Sequence, residues 1–189
     1  TVVVTVNPTP ALSSSLTPPA VCSNSAFNYA AVSSVTGTTI TWARAVVAGI
    51  SNPPGSGTGN INETLINTTA ADIVVPYVYS LSVGSCTSTF TVNSSIKPTP
   101  IVIVPANMAY CNGDNVPTIV FTGSVSGTSY SWGNSNTAIG LAANGTGSIA
   151  SFTCFNSTSA LISATISVGP AANGCSGVNS GFSISVYPE

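Results

Sequence analysis

Short runs of Val, Ile, Thr and aromatic residues, bounded by Gly, Pro and Asn, occur along the whole chain. No helical spacing of apolar residues is sustained beyond a turn or two, so the pattern predicts strands. In the first half these strands are predicted near residues 26–32, 38–44, 61–66, 73–83 and 88–92. In the second half they are predicted near residues 101–104, 116–122, 128–132, 148–155, 161–168 and 181–187. The chain is therefore expected to be all-β.

The sequence also repeats itself with a period of about 89 residues, which is the signature of a tandem array. NPTP at 7–10 recurs as KPTP at 97–100, GTTITW at 37–42 recurs as GTSYSW at 127–132, and GTGNI at 57–61 recurs as GTGSI at 145–149. The proline-rich stretch at 93–100 is predicted to be the linker. We expect residues 7–94 and 95–189 to form two repeats, and residues 1–6 to be the last strand of an upstream repeat.

Each repeat contains one tryptophan within a predicted strand. About seven short strands per 90 residues, with one such tryptophan, are typical of an immunoglobulin-like β-sandwich. Trp42 and Trp132 are expected to be buried anchors of the two cores. The predicted architecture is two tandem sandwiches of about seven strands each.

Four of the five cysteines follow the same period, because Cys22 and Cys86 are as far apart in the sequence as Cys111 and Cys175. Four cysteines allow three pairings, and the equal spacing favours one disulfide in each repeat, Cys22–Cys86 and Cys111–Cys175. Because Cys86 and Cys175 follow turn sequences, each bond is expected to clasp the last hairpin at one end of its sandwich. Disulfides persist in oxidising compartments, so we expect the protein to be extracellular.

Cys154 has no counterpart in the first repeat and lies within an alternating segment. A buried free thiol is the favoured interpretation. An intermolecular disulfide is the alternative, and mass under non-reducing conditions separates the two.

Charged residues make up only 3% of the chain, with two basic residues, four acidic residues and no histidine. Such a chain has no field that would attract nucleic acid or anionic lipid. It also lacks the commonest general base and metal ligand, and Glu63 and Asp72 form an unconvincing carboxylate pair. We therefore expect no enzymatic activity, no cofactor and no metal; the segment 112–115 has one carboxylate and is interpreted as a turn rather than a calcium site.

Three further points concern the single arginine, the membrane and glycosylation. Arg44, the only arginine, is compatible with a buried pair to Glu63 or Asp72 and equally with a surface contact. No apolar run approaches the roughly 18 residues of a membrane helix, so we expect no membrane insertion. Five Asn-x-Ser/Thr sequences would carry N-glycans in a eukaryotic secretory route, at Asn62, Asn67, Asn93, Asn144 and Asn156.

The proline linker, GTTITW, GISN, GTGNINETL and GSC of the first repeat resemble the PKD-like repeats of giant surface adhesins in Bacteroidetes. SYSW, TAIGLAA, NGTG and ANGC of the second repeat are similar to the same family. The resemblance implies secretion to the cell surface, many tandem copies, and a role in adhesion or gliding motility. It provides no catalytic residues that map onto this chain.

Two functions remain in competition at this point. In the first, the repeats form a stalk or filament whose partners are neighbouring repeats of the same protein. In the second, the repeats bind polysaccharide or solid surfaces, which would require exposed aromatic side chains. The tyrosines proposed for that contact are Tyr77, Tyr79, Tyr110 and Tyr130.

Overall fold

A computed structural model of the chain describes Val2 and residues 8–189. The chain divides into two compact units, residues 1–98 (unit 1) and 99–189 (unit 2). The last strand of unit 1 continues to Lys97, so the predicted boundary between residues 94 and 95 falls inside that strand. The upstream strand predicted for residues 1–6 lies, apart from Val2, outside the described residues.

The described part of unit 1 contains seven strands. They are β1 (Val21–Cys22), β2 (Ala26–Tyr29), β3 (Thr39–Arg44), β4 (Gly55–Thr58), β5 (Ile61–Thr64), β6 (Ile73–Val83) and β7 (Cys86–Lys97). One sheet has the order β1-β7-β6-β3-β4, and β2 pairs with β5 in a second sheet. The pairing of β1 with β7 is parallel, and the other neighbours are antiparallel.

The longest hairpin of unit 1 joins β6 to β7 through Gly84 and Ser85. Gly84 has a φ of +57°, as a tight two-residue turn between right-twisted strands requires. Along β6 the side chains alternate between core and surface, because successive residues of a strand point to opposite faces. This alternation directs Tyr77 and Tyr79 into the core.

The described part of unit 2 contains ten strands and one short 3₁₀ helix, Thr137–Ile139. The strands are β8 (Val102–Ile103), β9 (Met108–Cys111), β10 (Asn115–Val116), β11 (Thr122–Gly123), β12 (Ser129–Asn134), β13 (Asn144–Thr146), β14 (Phe152–Thr153), β15 (Ile162–Ala172), β16 (Cys175–Ser176) and β17 (Ser180–Tyr187). The main sheet has the order β13-β12-β15-β17-β9, with β16 paired to β15. As in unit 1, the strand near the start of the unit, β9, is parallel to the last strand, β17.

Two of the strands predicted for unit 2 are shorter than expected. The segment 116–122 contains β10 and β11, and the chain between them makes only one bridge, from Ile119 to Ile149. Pro117 cannot donate a hydrogen bond to a neighbouring strand, which interrupts the ladder. The segment 148–155 contributes only the two residues of β14.

The core of unit 1 lies between its two sheets. Phe27 on β2 contacts Tyr77 on β6 at 5.5 Å between ring centroids, and Tyr29 contacts Tyr79 at 5.7 Å. Trp42 on β3 meets Tyr77 edge-on at 5.7 Å. These contacts close unit 1 into a two-layer sandwich, and the all-β prediction is confirmed for both units.

Candidate functional site

The two tryptophans lie in matching places, and each is 9% exposed. Trp42 is paired across the sheet with Gly57, and Trp132 with Gly145. A Cβ atom at Gly57 would lie 2.9 Å from the Trp42 ring, and one at Gly145 would lie 2.3 Å from the Trp132 ring. The first glycine of each GTG motif therefore makes room for the indole. The second glycine has a φ of +66° in unit 1 and +70° in unit 2, so only this one forms the turn.

The tyrosines proposed as ligand contacts do not form an exposed aromatic surface. Tyr77 and Tyr79 are fully buried, because they lie on the inward face of β6. Tyr110 and Tyr130 are partly buried and pack against the core of unit 2. The prediction that these side chains contact a polysaccharide or a solid surface is therefore wrong for Tyr77 and Tyr79, and it stays a prediction for Tyr110 and Tyr130.

Arg44 occupies the inward face of β3, where its side chain is 2% exposed. Its Nε donates to Glu63 Oε2 at 2.9 Å, and its Nη2 donates to Glu63 Oε1 at 3.1 Å and to the Pro53 carbonyl at 2.7 Å. The Tyr77 hydroxyl donates to Glu63 Oε2 at 2.7 Å. Of the arrangements left open by the sequence, the structure therefore has the buried pair with Glu63.

The electrostatics of this cluster favour a fixed ion pair. Burial raises the pKa of Glu63, but the hydrogen bonds from Arg44 and Tyr77 outweigh burial, and the net pKa is below its ordinary value. Burial also raises the pKa of Tyr77, and its bond to Glu63 raises it further. Tyr77 thus remains a hydrogen-bond donor and Glu63 an acceptor near neutral pH. The cluster ties β3 and β6 to β5 and offers no group poised to accept a proton.

The structure separates the two cysteines of unit 1. Cys22 ends β1 beside Lys97, the last residue of β7, whereas Cys86 is the first residue of β7. A twelve-residue strand spans about 36 Å, and a disulfide requires Cα atoms within about 7 Å of each other. The predicted Cys22–Cys86 bond is therefore wrong.

The cysteines of unit 2 are separated in the same way. Cys111 pairs with Tyr187 at the end of β17, where β15 begins with Ile162. Cys175 pairs with Ala172 at the opposite end of β15. The eleven residues of β15 hold the two cysteines about 35 Å apart, so the predicted Cys111–Cys175 bond is also wrong. The expected hairpins exist, but the cysteine of the second strand lies at the other end of each sandwich.

The state of the sulfur atoms differs among the cysteines. Cys22 and Cys175 are each disulfide-bonded, whereas Cys111 is an exposed free thiol. Cys154 is a buried free thiol, whose Sγ donates to the Asp114 carbonyl at 3.3 Å. Burial raises the pKa of Cys154, so this thiol is protonated and unreactive near neutral pH.

One feature of unit 1 was missed by the sequence reasoning. Asn67 is 6% exposed, and its Nδ2 donates to the carbonyls of Ala71 and Ile96, both at 2.8 Å. Its Oδ1 accepts hydrogen bonds from the backbone N–H and the hydroxyl of Thr69, both at 2.8 Å. One amide thereby fixes the loop between β5 and β6 to the end of β7.

Asn156 makes the same contacts in unit 2. Its Nδ2 donates to the carbonyls of Ala160 and Val186, at 2.9 and 2.8 Å, and its Oδ1 accepts from the N–H and hydroxyl of Thr158, at 2.9 and 2.8 Å. The signal was present in the sequence, because Asn-x-Thr-x-Ala occurs at 67–71 and again at 156–160. Both asparagines also belong to glycosylation sequences. Their buried and fully bonded amides have no room for a glycan.

The surface offers little that resembles a catalytic or metal site. A shallow depression of about 550 Å³ at one end of unit 2 is lined by Asn112, Phe155, Asn156, residues 157–159 and Glu189. At 112–115, the Asp114 carboxylate accepts from the Cys111 N–H at 2.7 Å, as in a simple turn. Within the described ranges, no group of three or more His, Cys, Asp or Glu side chains is arranged to hold a metal ion. No helix in the same ranges is long and apolar enough to cross a membrane.

Comparison with known proteins connects this geometry to a fold. The chain is similar to the I-band fragment I67–I69 of titin, with a TM-score of 0.51 and 9% identity, over 97% of this chain and 66% of that chain. It is also similar to DIP-gamma IG1+IG2, with a TM-score of 0.49 and 12% identity, over 95% of this chain and 98% of that chain. Both units are immunoglobulin-like domains. No protein-family model and no curated protein matches the sequence.

The two sheets of unit 1 are connected differently from those of an antibody domain. Antibody domains connect their two sheets with a buried disulfide near the core tryptophan. In unit 1 the aromatic contacts Phe27–Tyr77 and Tyr29–Tyr79 connect the two sheets instead. Four cysteines lie at strand ends, namely Cys22, Cys86, Cys111 and Cys175. Cys154 lies in the core of unit 2 as a free thiol.

Proposed function

We propose that this chain is a pair of repeats from a secreted surface adhesin or filament of the type found in Bacteroidetes, in which the repeats act as a stalk in adhesion or gliding motility. The observation that carries the proposal is that the two units form the same sandwich, with the same contacts at matching positions. Three features recur in both units: a tryptophan packed against a glycine, a buried asparagine, and a strand near the start of the unit that is parallel to its last strand. Repeated folding units joined by short linkers are a common way to build extended proteins.

The disulfide-bonded state of Cys22 and Cys175 supports an extracellular location. Disulfides persist outside the reducing cytosol and are rare within it. To test the location, intact cells of the source organism would be labelled with antibodies raised against this chain. We expect labelling that brief protease treatment of intact cells removes; labelling only after permeabilisation would contradict an exported protein.

A spacer function is tested by replacement. In the parent gene, the segment encoding residues 8–189 would be deleted, or replaced by two unrelated immunoglobulin-like domains of similar length. Surface display is first measured for each strain, so that only equally displayed proteins are compared. We expect deletion to reduce adhesion and the unrelated pair to restore it, because a stalk supplies length and not a specific contact. If the unrelated pair fails as fully as the deletion, the stalk function is wrong.

A further inference from the structure

We propose that the depression at one end of unit 2 binds a neutral polysaccharide, whose sugar rings stack on Phe155 and hydrogen-bond to the polar side chains around it. All residues of the site belong to unit 2. The inference goes beyond the proposed stalk function and does not depend on it, because it concerns a contact surface of one unit and not the length of an array.

Phe155 provides an aromatic surface within the depression. Its backbone N–H donates to the Ile139 carbonyl at 3.1 Å, and a Cβ atom at Gly140 would lie 3.7 Å from the Phe155 Cβ. The backbone of Phe155 is thus fixed beside the 3₁₀ helix, while the residue remains 56% exposed. The face of an aromatic ring carries partial negative charge, so it attracts the slightly positive C–H groups that cover one face of a hexopyranose.

The loop that follows Phe155 presents two hydroxyl groups in a fixed arrangement. Asn156 Oδ1 accepts from the N–H and the hydroxyl of Thr158, at 2.9 and 2.8 Å, which holds the loop in place. Ser157 and Ser159 are exposed on either side of Thr158. Within the described part of the chain their hydroxyls have no hydrogen-bond partner. These hydroxyls are available on a loop that needs little ordering when a ligand binds.

Asn112 adds an oriented donor from a neighbouring turn. Its backbone N–H donates to the Tyr187 carbonyl at 3.1 Å, and its Oδ1 accepts from the Asn156 N–H at 2.8 Å. Because Oδ1 is occupied, Nδ2 is the group left for a ligand, and it has no partner among the described residues. An amide donor beside hydroxyls suits a sugar, since each sugar hydroxyl both donates and accepts hydrogen bonds.

The charge of the site distinguishes neutral from anionic ligands. Residues 99–189 contain no Lys, Arg or His, and Glu189 lines the depression. A carboxylate accepts hydrogen bonds from sugar hydroxyls, but it repels a uronate, a sulfate or a phosphate. The site therefore favours a neutral polysaccharide over an acidic one.

The size of the depression suits a segment of a polysaccharide chain. Its volume of about 550 Å³ lies within the range of sites for small ligands. Because the depression is shallow, an internal segment of a polymer enters it from the side, whereas an enclosed cavity would admit only a chain end. One or two sugar rings are therefore expected to occupy it.

Unit 1 differs from unit 2 at the position that carries the aromatic ring. Ile66 precedes the buried Asn67 as Phe155 precedes the buried Asn156. Ile66 is 42% exposed, but it has no aromatic face on which a sugar could stack. We therefore expect binding at unit 2 alone, and Ile66 provides a matched control position.

The first test measures binding by the 189-residue chain. Native gels would contain galactomannan, hydroxyethylcellulose or yeast mannan, with polygalacturonate as the acidic counterpart, and binding would slow the migration of the protein. We expect slower migration with at least one neutral polymer and none with polygalacturonate. Phe155→Ala should weaken the affinity about tenfold, through the lost apolar contact, whereas Ile66→Ala should leave it unchanged.

Three results of this test would overturn the proposal. They are an absence of retardation by all three neutral polymers, equal affinities of the original chain and Phe155→Ala, and retardation by polygalacturonate as strong as by a neutral polymer. The double variant Ser157→Ala with Ser159→Ala covers the case in which Phe155→Ala unfolds. It removes hydroxyls that have no partner within the described residues, so thermal unfolding should be unchanged while the affinity falls.

The second test locates the contact in the folded chain. A hexasaccharide of the polymer that binds would be titrated into ¹⁵N-labelled protein, and the backbone amide shifts followed by NMR. We expect the largest shift changes at residues 112–113 and 155–159, and none at 66–70. Largest changes in unit 1, or along β9 and β12, would contradict the site.

Failure here and failure of the stalk function give different results. A chain that binds no polysaccharide in the gels is still compatible with a stalk, because Phe155→Ala does not change its length. A chain whose replacement by unrelated domains fails to restore adhesion would overturn the stalk and leave the measured binding unchanged.

Discussion

In unit 1 the central strand β6 buries Tyr77 and Tyr79, whereas the corresponding strand β15 of unit 2 buries Ile166 and Val168. The register establishes the correspondence, since Tyr79 pairs with Trp42 and Val168 pairs with Trp132. The aromatic side chains of unit 1 meet a charged cluster, which unit 2 cannot form because residues 99–189 contain no Lys, Arg or His. Asn134 stands in unit 2 where Arg44 stands in unit 1.

The comparison separates two kinds of position. Frame positions make the same contact in both units, whereas the remaining core positions carry different side chains in the two units. Both units keep the tryptophan over a glycine and the buried asparagine that holds the last strand. The other core side chains differ between the units. For example, the buried Leu65 of unit 1 corresponds to the buried Cys154 of unit 2. Cores tolerate such exchange when volume and pattern are kept. Equivalent substitutions at frame positions should therefore lower the stability of the two units by similar amounts. Substitutions at the other core positions have no counterpart and should lower the stability of one unit only.

The largest expected effect is confined to unit 1. Glu63→Ala leaves Arg44 buried without its partner and should lower the stability of unit 1 by about 3 kcal/mol. Hydrogen exchange of β6 and β7, compared with β15 and β17 of the same molecule, measures this loss against an internal reference. A double variant, Arg44→Met with Glu63→Leu, removes both charges and should recover most of the loss. An equal loss in the single and double variants would contradict the role of the ion pair.

The next effect should be shared by both units. Asn67→Ala and Asn156→Ala each leave buried backbone groups without hydrogen bonds, at a cost of about 2–3 kcal/mol to the unit concerned. The exposed Asn62 on β5 is the matched control, and Asn62→Ala should change stability by less than about 0.5 kcal/mol. Unequal losses at Asn67 and Asn156, measured by hydrogen exchange, would show that the asparagine is not a common frame position.

A smaller effect is expected where the tryptophans meet their glycines. Gly57→Ala and Gly145→Ala crowd the indole rings, and overpacking of this kind costs roughly 1–3 kcal/mol. The loss should be greater at Gly145, where the Cβ atom would come closer to the ring. Gly133 on β12 has open space around its Cβ position, so Gly133→Ala should be tolerated. Thermal unfolding of the three variants provides the ranking, and a loss at Gly133 equal to that at Gly145 would contradict it.

The smallest effect is a difference in acid sensitivity between the two units. The folded-state pKa of Glu63 is lowered from 4.5, so its stabilisation is present above that value and is lost as pH falls through the lowered pKa. Hydrogen exchange between pH 7 and pH 3, corrected for the intrinsic exchange rate, should show unit 1 losing protection relative to unit 2. Glu63→Gln should remove this difference. If unit 1 of that variant still loses protection relative to unit 2 as pH falls, a group other than Glu63 causes the loss.

The sequence predicted the architecture because its signals are local. Short runs ending at Gly and Asn, with a repeated GTxxxW, identify strands and repeats without knowledge of distant contacts. The burial of Tyr77 and Tyr79 was also available, since both are in phase with Val75 and Leu81, whereas the polar Ser80 and Ser82 are in the opposite phase. Their assignment to a binding surface overlooked that alternation.

The cysteine pairing was wrong for a different reason. Equal spacing shows that the cysteines occupy equivalent positions in the two repeats, but it does not show which of them lie close to each other in the fold. The decisive fact is the parallel pairing of β1 with β7, which carries Cys22 to the end opposite Cys86. Such a contact between distant parts of the chain has no local signal. The Arg44–Glu63 pair is similar, since its two residues are brought together only when the two sheets face each other.

The parallel pairing also has a mechanical consequence. When the two ends of a unit are pulled apart, the two strands of its parallel pair, one near the start of the unit and one at its end, are drawn in opposite directions along their length. The bonds between parallel strands are then loaded together in shear, instead of opening one at a time as in a hairpin pulled from its free ends. Two residue pairs bear this load in β1 and β7, and four bear it in β9 and β17. Under tension unit 1 should therefore yield before unit 2.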